Sequence, residues 1–96
     1  MRFYFHPRAE DEFDEAVRYY EECEAGLGLE FAREIYAAVK RISKYPNAWT
    51  RLSENTRCCL VNRFPYRVIY QIKNNMLRIL AVASLHQQPD YWRTRR

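Results

Sequence analysis

Glycine is scarce in this chain. Gly26 and Gly28 are the only two, and with four prolines they leave little material for long flexible linkers. Ninety-six residues therefore read as one domain, 1–96, long enough for a single core. Long apolar runs are missing as well. None approaches the ~20 residues that span a bilayer, and acids begin at Glu10, which breaks the basic-then-apolar layout of a secretory leader. A cytoplasmic protein with no membrane partner is expected. Three cysteines do not make a disulfide framework. Cys58 and Cys59 are adjacent, so a strand would point them to opposite faces, and Cys23 lies far from both. No C-x-x-C or Cys/His spacing suggests zinc, and there is no phosphate-cradling glycine loop or nucleophile elbow. All three cysteines read as ordinary thiols, and neither metal nor cofactor is expected.

What the chain does have is apolar and aromatic mass. Hydrophobic residues make up 48%, which argues against disorder, and aromatics 16%, with eight tyrosines. Charge is divided sharply. Residues 1–34 hold ten acids and four bases, a net of −6, whereas residues 35–96 hold two acids and twelve bases, a net of +10. Most of those bases are arginines, whose planar fork suits phosphate and carboxylate. Two readings stay open: a solvated basic surface, or a site for a polyanion or an acidic protein segment.

Arg63-Phe64-Pro65-Tyr66-Arg67-Val68-Ile69-Tyr70-Gln71-Ile72 is the organising stretch. It reads as a strand entered through a proline, with Tyr66, Val68, Tyr70 and Ile72 facing a core and Arg67, Ile69 and Gln71 facing away. Upstream, Arg2–His6 reads as a short strand. Pro7 opens a helix with Ala9, Phe13, Ala16, Val17 and Tyr20 at helical spacing. Glu10, Asp11, Glu12, Asp14 and Glu15 crowd its first two turns and read as a solvated face matched to the helix dipole, not as a metal or acid–base site. Gly26-Leu27-Gly28 reverses the chain into a second helix, with Leu27, Phe31, Ile35, Ala38, Val39, Ile42 and Tyr45 on one stripe and Pro46 at its end. Pro46–Thr56 reads as a polar loop and Arg57–Asn62 as a strand of unassigned orientation. Asn74-Asn75 forms a hairpin turn. Leu77–Leu85 is an apolar, interior strand, with His86 at its end sharing parity with Arg78 and Ser84. Tyr91 and Trp92 pack a tail that Pro89 introduces. The order is β-α-α-β-β-β, an α+β domain: a small antiparallel-type sheet with a helical hairpin packed on it. Phe13, Phe31, Val68 and Tyr70 are expected to join the two layers.

Several of these pieces, taken together and in this order, resemble the RelE/ParE superfamily, the toxins of type II toxin–antitoxin modules. The matching residues are Ala9 with Tyr19-Tyr20, Gly26-Leu27-Gly28 before Phe31, and Arg63-Phe64-Pro65-Tyr66 running to Tyr70. They continue with Leu80-Ala81-Val82, His86, Pro89, Tyr91-Trp92 and Arg95. The resemblance implies an antitoxin partner and two activities on one scaffold. RelE-like members cut mRNA on the ribosome without metal; ParE-like members poison DNA gyrase. In the nuclease reading Arg57, Arg63, Arg67 and Arg78 would clamp phosphates, and His86 or Tyr91, with Arg67, would form the catalytic group. Arg93 and Arg95 extend the basic binding set. Gln88 stands where related sequences often have arginine, and lysines are few (Lys40, Lys44 and Lys73). The pattern is closer to the ParE-like branch, so a gyrase-poisoning toxin is the first reading and an mRNA endonuclease the second. From a different class, a non-catalytic nucleic-acid-binding module also fits the basic half, although no recognition-helix motif supports it.

Overall fold

Pro7 starts α1 (Pro7–Cys23), and His6 caps it by accepting the Arg8 N–H on its imidazole Nδ1 at 3.0 Å. The computed structural model describes residues 1–96. Ahead of α1 lies β1 (Phe3–Phe5). After it come α2 (Leu27–Lys44), β2 (Thr50–Ser53), β3 (Thr56–Leu60), β4 (Tyr66–Lys73) and β5 (Met76–Ser84).

The two glycines do separate jobs at the helical reversal. Gly26 takes φ +90°, where a side chain would be strained. Gly28 lets the helices touch: a Cβ there would lie 2.6 Å from the Val17 carbonyl oxygen. Glu21 receives the new helix, accepting the Gly26 N–H at 2.9 Å and the Gly28 N–H at 3.1 Å. At the other end Tyr45, expected on the buried stripe, lies just outside α2 and is exposed.

The sheet runs β1-β5-β4-β3-β2. It is antiparallel except that β1 lies parallel to β5. The stretch expected to be all loop, Pro46–Thr56, contributes β2 as an edge strand on β3. Asn74 and Asn75, at φ 54° and 60°, make the tight β4–β5 turn.

One irregularity sets the chemistry of both faces. Ile69 is opposite Ala81 but Tyr70 is opposite Ile79, so Leu80 is an extra residue, a β-bulge. The parity expected for the last strand is broken there. Leu77, Ile79 and Val82 join the core under the helices, while Leu80, Ala81 and Ala83 belong to the other face. Arg78 and Ser84, which uniform alternation would place together, end on opposite faces.

The main core lies between the hairpin and the sheet and includes Phe31, Ile35, Ala38, Ile42, Val68, Tyr70 and Ile79. Phe31 is fully buried, with the rings of Tyr20, Phe64 and Tyr66 at 5.2, 5.2 and 4.9 Å. Phe13 is half-buried at its margin. The outer face carries a second, smaller core. Cys58 contributes to the outer core and Cys59 to the main one, both as free thiols.

Candidate functional site

The outer face is where β4 carries Arg67, and the C-terminal tail covers its middle. From Pro89 to Arg95 the chain runs as successive turns, with the Arg93 N–H on the Asp90 carbonyl and the Arg95 N–H on the Trp92 carbonyl. Trp92, 3% exposed, packs with Cys58, Ile69, Leu80, Ala81 and Ala83. Its indole N–H donates to the Pro89 carbonyl at 2.9 Å.

Glu12 holds this tail down. Its Oε1 accepts the Val82 N–H at 3.0 Å and Arg95 Nη1 at 2.8 Å. Its Oε2 accepts the Tyr91 hydroxyl and Arg95 Nη2, both at 2.7 Å. Arg95 Nη1 also donates to the carbonyl of the bulged Leu80 at 3.0 Å, and its guanidinium lies over the Tyr91 ring. The Arg95 side chain is only 5% exposed. Burial, then the hydrogen bond to Glu12, holds the Tyr91 hydroxyl well above the usual tyrosine range, so it stays protonated. Glu12 is the functional-site residue missed in the sequence, grouped there with its solvated neighbours. The signal is in the spacing: Ala9, Glu12 and Ala16 stand at i, i+3 and i+7, on the stripe that faces the sheet.

The arginines expected to act together do not converge. Arg57 is on the helix side, donating to the Trp49 carbonyl at 2.8 Å and lining a small cleft of about 180 Å³ with Asn47, Glu54 and Tyr70. Arg63 stands in the turn before β4 at φ 71°, paired to Glu30 of α2 at 2.7 Å. Arg78 lies on the outer face beside Gln71, whose Oε1 accepts from it at 3.3 Å. Arg67 is on the same face four residues away along β4 from Gln71, roughly 13 Å at strand spacing, with the apolar patch under Trp92 between them. Arg93 is held by Asp90 at 3.0 Å and stacks on Trp92. His86 is exposed in the turn after β5; its backbone N–H meets Ser84 Oγ at 3.2 Å, and its imidazole makes no hydrogen bond. Tyr91 and Arg95 are brought together by Glu12, as parts of a latch. No group of three or more His, Cys, Asp or Glu side chains is arranged to hold a metal ion.

A helical hairpin on a five-stranded sheet, closed by an aromatic and arginine tail, makes a small α+β domain. The family model described as the ParE toxin of the type II toxin–antitoxin system parDE matches residues 3–91, and the chain belongs to that family. It is accordingly a type II toxin of the ParE kind, as the Phe-Pro-Tyr and His…Pro-x-Tyr-Trp pattern led one to expect. A solved structure described as "Chromosomal ParDE TA system from P. aeruginosa" has the same fold, with a TM-score of 0.72 and 21% identity over 88% of this chain and 95% of that one. No curated protein gives a significant sequence match. No helix is long and apolar enough to cross a membrane.

Proposed function

We propose that this toxin arrests growth by binding DNA gyrase in the cytoplasm, and that a cognate protein antitoxin neutralises it. The observation that supports binding over RNA cleavage is the tail. Trp92 fills the middle of the outer face and separates Arg67 from Arg78. Metal-independent cleavage needs preorganised cations around one phosphate and a proton carrier beside them. Tyr91 is bound to Glu12, and Arg95 is paired there as well. Arg57 and Arg63 are engaged on other surfaces. A binding toxin needs none of these groups to converge.

The test uses purified protein in two assays. Gyrase supercoiling should be inhibited, or cleaved DNA trapped, while transcripts on translating ribosomes stay intact. Transcript cleavage that His86→Gln abolishes, with gyrase unaffected, would instead establish the endonuclease. Intact transcripts together with unaffected gyrase would leave the nucleic-acid-binding module.

A further inference from the structure

Arg67 has the least satisfied guanidinium of the outer face. Its Nε is buried with no partner, and its one hydrogen bond, from Nη2 to the Pro89 carbonyl, is long at 3.4 Å. No carboxylate of this chain lies within ion-pair distance of Arg67. Asp90 is taken by Arg93 and Glu12 by Arg95. Glu54 sits in the β2–β3 turn, at the end of β3 remote from Leu60, the residue opposite Arg67. A half-buried guanidinium with open donors is complementary to a carboxylate, which its fork can grip through two parallel bonds.

The surroundings of Arg67 are apolar. Leu60, directly opposite it on β3, is 61% exposed. Ala83 is opposite it on β5, and Leu85, in the turn that follows β5, is 49% exposed and donates its N–H to the carbonyl of Pro65, two residues before Arg67, at 2.9 Å. A nucleic-acid strand draws its affinity from several phosphates and needs a row of free cations. Here Arg78, Arg93 and Arg95 are engaged with Gln71, Asp90 and Glu12, and the neighbours of Arg67 are leucines. One open arginine between exposed leucines fits a protein segment that carries a carboxylate beside apolar side chains.

We infer that Leu60, Arg67 and Leu85 form a docking patch for the antitoxin, with Arg67 receiving an aspartate or glutamate of that partner and the two leucines receiving its apolar neighbours. This rests on the reading that a protein antitoxin neutralises the chain, and adds where and through what chemistry it does so.

The experiment measures the dissociation constant between this protein and the product of the neighbouring gene, with the melting temperature of each variant recorded alongside. Arg67→Gln should weaken the complex roughly thirtyfold or more, as truncating one member of a desolvated charge pair does. Arg67→Lys should fall between, because a point charge cannot reproduce the fork. Leu60→Ser, at an exposed side chain, should also weaken binding, and it keeps the test open if Arg67→Gln unfolds. Lys73→Gln, which removes the same charge at the far end of β4, should change nothing. If the parent binds and neither Arg67→Gln nor Leu60→Ser weakens it, the patch is not the docking site, although neutralisation stands. Equal weakening by Lys73→Gln would reduce the effect to net charge and overturn the inference. If the parent forms no complex, the antitoxin reading itself falls. A labelled RNA or DNA oligonucleotide that binds the parent and is lost on Arg67→Gln would assign the patch to nucleic acid and overturn the inference.

Discussion

Replacing Glu12 by glutamine changes one oxygen to an amide nitrogen and removes one charge. Four hydrogen bonds converge on the native carboxylate, two on each oxygen. An amide offers one acceptor oxygen and a donating NH₂. Wherever the NH₂ is placed, it meets an Arg95 nitrogen that can only donate. Arg95 is then left as a nearly buried cation without its counter-ion. Breaking a buried ion pair by removing one partner costs about 3–5 kcal/mol. At the lower figure this is a large share of the ~5–15 kcal/mol that holds a domain of this kind together, and the melting temperature should fall by roughly 12–24 °C. Thermal melts followed by far-ultraviolet circular dichroism give the stability, and quenching of Trp92 in a Trp49→Phe background reports release of the tail. The double variant Glu12→Gln with Arg95→Met should be less destabilised than the sum of the singles, because removing Arg95 also removes the stranded charge. A Glu12→Gln protein that melts with its parent and keeps Trp92 protected would refute the reasoning.

Two other expectations follow from the same structure. His6 must be neutral at Nδ1 to accept the Arg8 N–H, and burial, then the charges of Arg78, Arg95 and Arg8, hold its pKa below the ordinary 6.5. The unfolded chain therefore binds this proton more readily than the folded one. Its contribution to stability is complete above about pH 6.5 and is lost as pH falls through the lower folded value. Chemical denaturation across that range should show this slope, and His6→Asn, which keeps a capping acceptor without titrating, should lack it. Phe31→Ala empties the centre of the Tyr20, Phe64 and Tyr66 cluster and should cost about 3–5 kcal/mol; an unshifted denaturation midpoint would mean that Phe31 is not where the two layers meet.

The helical hairpin and the β4–β5 turn were legible in the sequence because their information is local. The spacing of Phe31, Ile35, Ala38 and Ile42, the glycine pair and the Asn74-Asn75 turn each act over a few residues. The strand Thr50–Ser53 was not legible: four residues of mixed polarity beside Pro46 and Asn47 look like a loop, and only pairing with β3 makes them a strand. The bulge at Leu80 was hidden for a different reason. A run that is apolar at nearly every position carries no parity, so nothing in Leu77–Ala83 marks where the faces exchange. The site residues divide in the same way. Arg67 on the outer face follows from the alternation of β4, whereas the grip of Glu12 on Tyr91 and Arg95 spans 79 and 83 residues and has no local signature beyond the buried helical position of Glu12.

The upper half of β5 lies beyond the reach of the three-residue β1, and side chains stand in for the missing neighbour. The Val82 N–H goes to Glu12, the Leu80 carbonyl to Arg95 and the Ser84 N–H to the Gln87 amide oxygen at 2.9 Å. To another polypeptide, that border of the sheet offers little: the Val82 N–H, the Leu80 carbonyl and the Ser84 N–H are already taken, so an extended chain would find few open groups there. Strand addition, whether by a partner or by a misassembled copy, is steered to the outer margins of β1 and β2, the two edge strands of the sheet. Loss of Glu12 would then do more than lower a melting point. It would unmask a third place at which copies of the toxin could zip together, so the variant should aggregate more readily than an equally unstable core variant such as Phe31→Ala.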